Sequence, residues 1–175
     1  MSEVRGLLTH EQREEILRNI WTLHDGRWFI KTIEKFGLGT ANELNQTVIR
    51  SMGKTEIKLL LRETAIGKIS DVEELKALIS AASSLYFPRE HKYEFKVLSG
   101  NELLGHVIEC YVHKNVEKAD FTEHYQCAAK QRFESWIGAM GLKGEILQAF
   151  SILEGITTLD CNGSCYITFK IDEWK

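Results

Sequence analysis

Apolar residues recur every three to five positions in the first half of the chain and alternate with polar ones in much of the second. Thr9 and Gln12 make a capping-box pair, and Ile16, Leu17, Ile20, Trp21, Leu23, Trp28, Phe29, Ile33 and Phe36 follow at helical spacing up to Gly37. This predicts one long helix, bent near Gly26. Thr40 with Glu43 repeats the capping signature and opens a second helix through Ala41, Leu44, Val48, Ile49 and Met52 to Gly53. A third, from about Thr55, holds Ile57, Leu60 and Leu61 and ends near Gly67. Ser70 with Glu73 starts a fourth, with Val72, Leu75, Leu78, Ile79 and Ala82 on its buried stripe.

The single proline, Pro88, separates these helices from a region of mixed period. Tyr93, Phe95 and Val97 alternate as in a strand, "SGNE" reads as a turn, and "LLGHVIECYVH" is the antiparallel partner, with His106, Ile108, Cys110 and Val112 on one face. "VEKAD" is a polar connection. A helix then begins at Thr122 with Ala129, Phe133, Trp136, Ile137 and Met140 as its stripe. Glycines at 138, 141 and 144 loosen the chain before a short helical turn from Ile146 to Phe150. The stretch "GITTLDCNGSCYITFKI" is a hairpin signal, because Asn162-Gly163 tolerates positive φ between β-rich flanks. The expected architecture is α+β: about four N-terminal helices, then a β-β-α-β-β unit with an antiparallel sheet. It forms a single domain over 1–175, helical over 1–87 and mixed over 88–175.

A chain of 175 residues buries roughly two thirds of its unfolded surface, so it needs no cofactor merely to hold together. A net charge of -3 gives no broad basic field, which argues against nucleic acid as a partner. No apolar run reaches the length of a membrane span, and "MSEVRGLLTHEQREE" lacks the apolar core of a secretory signal. The expectation is a cytoplasmic protein with no membrane partner, whose thiols stay reduced.

The four cysteines then point to metal binding, thiol catalysis or plain burial. Cys110 shares its strand face with Ile108 and Val112, as a buried structural cysteine would. Cys127 falls off the apolar stripe of its helix, beside His124 and near the helix N-terminus, where the dipole favours a thiolate. Cys165 shares a face with Ile167, Phe169 and Ile171. A two-residue turn puts Cys161 on the opposite face, and a three-residue turn pairs it with Cys165. Tetrahedral zinc needs three or four converging ligands, and Cys110, Cys127, Cys161 and Cys165 are the candidates for that set.

A second candidate is "LHDGRWF" with "ANELN". His24 and Asp25 suit a metal or an acid–base pair, but adjacent helix positions point roughly 100° apart. His24 falls with Ile20, Trp21 and Trp28 at helical spacing, so it also reads as a packed histidine bonded to Asn45. Trp21, Trp28, Trp136 and Phe169 suit the lining of an apolar pocket between helices and sheet, or an ordinary core. The chain has no Walker A loop, GxGxxG, GxSxG or HExxH.

Two resemblances rest on these residues. The first half, with His24, Asp25 and Trp28 followed by Ala41 to Asn45, resembles an uncharacterised prokaryotic family related to L-2-amino-thiazoline-4-carboxylic acid hydrolase-like proteins. The second half resembles the 4-vinyl reductase (V4R) domain, a small-ligand-binding fold shared with haem nitric oxide sensors and Golgi-transport components. The match is Cys161, Gly163, Cys165, Phe169 and Ile171, with Phe169 two places later than in that family. The resemblance implies zinc held by a helix cysteine, an acidic residue and two hairpin cysteines, carried here by Cys127, Cys161 and Cys165. Thr158 stands at the acidic position, leaving Cys110 or Asp160 as the fourth ligand.

The first expectation is a small-molecule-binding domain with a cysteine-rich zinc site, homodimeric through its N-terminal helices, with His24, Trp28, Asn45 and Trp136 facing the ligand. The alternative is a C–N hydrolase with Cys127 as nucleophile and His124 as base. A structural or partner-binding domain is the third.

Overall fold

The computed structural model describes residues 6–64, 66–149, 151–153, 156–158 and 161–174. The chain divides into two compact units, Met1–Ala41 and Asn42–Lys175.

The first unit is dominated by α1 (His10–Phe36), which starts at the capping box: Gln12 N–H donates to the Thr9 hydroxyl and the Gln12 side chain accepts from Thr9 N–H. It ends at Gly37, whose φ of 84° suits a residue without a Cβ. Several large apolar side chains of α1 are exposed among its polar ones. Leu17 is 70% exposed, Trp28 64% and Ile20 60%, whereas Thr32 is buried. His24 is also exposed and stacks on Trp21, so the expected packed histidine is not what α1 carries.

Among the described residues three helices, rather than four, precede the sheet. α2 (Leu38–Thr64) runs through both the expected second and third helices. Thr40 lies inside it, Thr55 donates its hydroxyl back to Ser51 O instead of capping a new helix, and Gly53 does not stop it. Gly53 is a close-approach position: a Cβ there would lie 3.0 Å from Ser135 Cβ and 3.1 Å from Arg132 O. α3 (Val72–Tyr86) is capped by Asp71, one residue later than expected, while Ser70 binds the Glu74 carboxylate.

Beyond Pro88 come β1 (Lys92–Ser99), β2 (Glu102–Glu109), α4 (Tyr111–Lys118), a 3₁₀ turn at Thr122–His124, α5 (Ala129–Met140), β3 (Lys143–Ala149), β4 (Ser151–Leu153), β5 (Ile156–Thr158) and β6 (Cys165–Glu173). The main sheet is antiparallel with order β1-β2-β6-β3, and β4 pairs with β5. Leu103, Val107, Ile146, Ile167, Phe169 and Ile171 form its buried face and share one core with Leu75, Leu78 and Ile79 of α3 and Phe133, Trp136 and Ile137 of α5. Phe133 meets Phe169 edge-on at 5.1 Å.

Four expectations fail here. The second strand stops at Glu109, and "CYVHKNVEK" turns into α4, burying Val116. The stretch from Thr122 holds only a 3₁₀ turn before α5 starts at Ala129. Residues read as a helical turn after Gly144 are strand β3, since Gly141, left-handed at φ 74°, ends α5 and redirects the chain. The terminal hairpin is absent in the form expected, because β6 pairs with β2 and β3. The Asn-Gly chemistry still holds: Gly163 has φ 88° and Asn162 Oδ1 accepts from Ser164 N–H. That turn leads into β6 without joining two paired strands.

Candidate metal centre

Four thiols gather at the end of the sheet where β2 stops and β6 begins. Cys110 is the N-cap of α4; His113 N–H donates to its Sγ at 3.4 Å, and its own N–H donates to Gly163 O at 2.9 Å. That backbone bond ties the segment carrying Cys161 to the end of β2. Cys165 opens β6 opposite Val107 and is buried on the inner face. Cys127 lies in the connection ahead of α5, not inside a helix, and its sulfur accepts from the Ala129 N–H and, at 3.8 Å, from the Gln148 amide. All four are free thiols, and each lies within electrostatic reach of the other three.

The Cys127 connection is pinned by α2. Asn42, 2% exposed, donates from Nδ2 to His124 O at 2.8 Å and accepts from Gln126 N–H at 3.2 Å, and Gln46 Nε2 reaches Gln126 Oε1 at 3.1 Å. The "ANELN" stretch thus contributes Asn42 as a two-ended clamp on the backbone beside Cys127. Asn45, the residue singled out from sequence, is only half-buried.

Burial pushes Cys110 up to about 11 and Cys165 up to about 12, with neighbouring thiols acting in the same direction. Burial also raises Cys127. Desolvation and like neighbours both disfavour the thiolate, and a bound cation relieves both. N–H donors already point at sulfur, as they do around metal thiolates: His113 and Val112 on Cys110, Ala129 on Cys127, Gln148 on Cys127 and Cys165. The donor set therefore suits a tetrahedral, thiophilic cation. Among the described residues, no group of three or more His, Cys, Asp or Glu side chains is already set to hold a metal ion. Cys161 is exposed. Asp160, the other fourth-ligand candidate, lies outside the described residues.

His113, not singled out from sequence, braces the turn. Its Nε2 lies 3.1 Å from Cys161 O, and its ring occupies the space a Cβ on Gly163 would need. On the outer face of the sheet, His106 joins Glu94 at 3.2 Å and Ser164 Oγ at 3.3 Å, and its ring stacks on Tyr166. The Ser164 hydroxyl donates to Val107 O at 2.9 Å, so this row ties strands together and does not activate a nucleophile.

Two further polar groups lie in the core. Glu56, 5% exposed, accepts from two guanidinium nitrogens of Arg132, Nε at 3.0 Å and Nη2, and from the Trp136 indole N–H at 2.7 Å. Trp136 is therefore a buried core residue whose polar atom is committed to Glu56. His91 accepts from Tyr111 N–H at 3.3 Å and packs against Phe87 and Tyr93; burial, then Arg132, lowers it from 6.5 to about 4. It borders an apolar cavity of about 10 Å³ with Phe87, Tyr93, Phe95, Phe133 and Ile167, room for roughly one water molecule.

The sequence-named residues separate accordingly. Cys110, Cys127, Cys161 and Cys165 come together, and Trp136 joins the Glu56 network. His24 and Trp28 are exposed on α1. His124 is exposed and meets Asn42 through its carbonyl. No helix among the described residues is long and apolar enough to cross a membrane. Neither a scan against protein-family models nor a search of the curated proteins returns a match for this chain.

Proposed function

We propose that this chain is a small-molecule-binding domain of the V4R type built around a zinc tetrathiolate of Cys110, Cys127, Cys161 and Cys165. The observation that carries the reading is the gathering of four free thiols from three separate chain segments at one end of the sheet, with N–H donors directed at three of the sulfurs. Segments so distant in sequence gain most from a shared cation, since closing long loops is costly to the unliganded chain. Cys110, Cys127, Cys161 and Cys165 would hold the cation as thiolates, each giving its proton to solvent, and the exposed Cys161 would have to face inward to do so. When bound, zinc supplies cross-linking of the sheet end to the Cys127 connection.

The ligand seat in this reading is the aromatic cavity. A guest larger than a water opens it by turning the Phe95 ring away from Gly105, whose missing Cβ leaves the space that ring occupies. The open apolar side chains of α1 are the surface for a second copy of the chain. Large apolar side chains left exposed along a helix mark an interaction site.

The hydrolase alternative asks Cys127 for a lowered pKa, and burial moves it the other way. Native mass spectrometry of the freshly purified chain tests the proposal as a whole. It is expected to show a dimer with one zinc per subunit, and a monomer without metal would overturn it.

A further inference from the structure

Gln148 occupies a position where the strand pattern calls for an aliphatic side chain. On β3 it is on the same face as buried Ile146, and in register it lies opposite Ile167 of β6. Its amide nitrogen instead lies 3.8 Å from Cys127 Sγ and also acts on the Cys165 sulfur. Among the described residues, no backbone hydrogen bond joins the segments that carry these two cysteines. Backbone N–H groups of His113 and Val112 act on the Cys110 sulfur, whereas on Cys165 the group that favours the thiolate is the Gln148 amide.

A tetrathiolate holding a divalent cation keeps two negative charges in excess, and a half-buried one needs them dispersed by dipoles. Lysine or arginine does not serve that role at Cys127 or Cys165: no cationic side chain acts on either sulfur among the described residues. The side-chain amide is the group that can.

We infer that Gln148 is a positioning residue of the metal centre, a bridging donor that holds Cys127 and Cys165 at one spacing and disperses the charge of their thiolates. This rests on the zinc-thiolate reading above and deepens it. Gln148 touches sulfur and not the cation, so its loss weakens binding without removing a ligand.

Cobalt(II) titration of the metal-free full-length chain tests it, read through the sulfur-to-cobalt charge-transfer band. Gln148→Met keeps the shape and removes the donor, and Gln148→Glu keeps the size while replacing the donor with a charge. Both are expected to bind cobalt about 10- to 100-fold more weakly than the natural chain. The band should also move to lower energy, because a sulfur without its N–H donor gives up charge more readily. Gln148→Lys restores a donor and should recover most of the affinity. Thermal melts of the metal-free forms accompany the titration, and a merely structural role would show there and leave the band position unchanged. Equal affinity and an unmoved band in both donorless variants would overturn the role of Gln148 while leaving the metal centre standing. A natural chain that gives no charge-transfer band at all would overturn the centre itself.

Discussion

Replacing Asn42 by alanine removes both ends of the clamp that positions the Cys127 connection. The carbonyl of His124 loses its 2.8 Å donor and the N–H of Gln126 its 3.2 Å acceptor. Asn42 is 2% exposed, so solvent does not replace it without entering the structure. Each orphaned polar group costs about 1–3 kcal/mol, giving about 2–6 kcal/mol for the pair if the connection stays in place. Detachment of residues 122–128 sets the upper limit, since the chain then trades the penalty for local unfolding. At roughly 2–4 °C per kcal/mol for a chain of this size, the melting temperature should fall by roughly 4–24 °C. Urea denaturation followed by circular dichroism measures the stability, and hydrogen exchange at 124–128 separates local release from global loss. Asn42→Asp keeps the acceptor for Gln126 but not the donor for His124, and adds a buried charge, so it should be at least as damaging. A loss below about 0.5 kcal/mol for Asn42→Ala, with unchanged exchange at Gln126, would refute the clamp.

Four other outcomes follow from the same geometry. Arg132→Met leaves the Glu56 carboxylate buried with only the Trp136 indole as donor, at a cost of about 3–5 kcal/mol in denaturant titrations, and the double variant with Glu56→Leu should recover most of it. His91 is held neutral, about 4 against 6.5 unfolded, so the unfolded chain binds the extra proton first on acidification. Stability should therefore fall as pH drops from about 6.5 to about 4, by at most about 3 kcal/mol. His91→Gln, which keeps an acceptor for Tyr111, should flatten that slope, and parallel pH profiles would contradict it. Gly163→Ala forces a Cβ to 3.1 Å from His113 Nδ1 at φ 88° and should cost about 1–2 kcal/mol by thermal melt. Gly138→Ala in open space on α5 should instead stabilise by about 0.5–1 kcal/mol.

Helix α1 was legible from Thr9, Gln12 and Gly37 because its signals are local: a reciprocal cap and a residue without a Cβ. The strand pair β1-β2 was legible from alternation around a short turn. Gly53 misled because propensity reads glycine as a stop, whereas its value here is close packing against residues more than 75 positions away. The Asn162-Gly163 turn was readable as a turn, but which strand β6 joins is decided by long-range pairing with β2 and β3. At the candidate centre, residue type and the V4R-like pattern named the four cysteines as one set, while periodicity misplaced two of them: Cys110 read as a strand residue is the N-cap of α4, and Cys127 read as a helix residue lies in the connection before α5. Gln148 and Asn42 escaped notice for a related reason: an amide shows its role only when its distant partners are in view. For Gln148 the one available signal, a polar residue on an inward strand position, was hidden by reading β3 as a helical turn.

X-ray absorption at the zinc edge on the purified, metal-loaded chain tests the central claim most directly. The account predicts a first shell of four sulfurs at about 2.3 Å, falling to three when Cys161 or Cys127 is replaced by serine. A shell dominated by nitrogen or oxygen, or a chain that takes up no zinc, would contradict it.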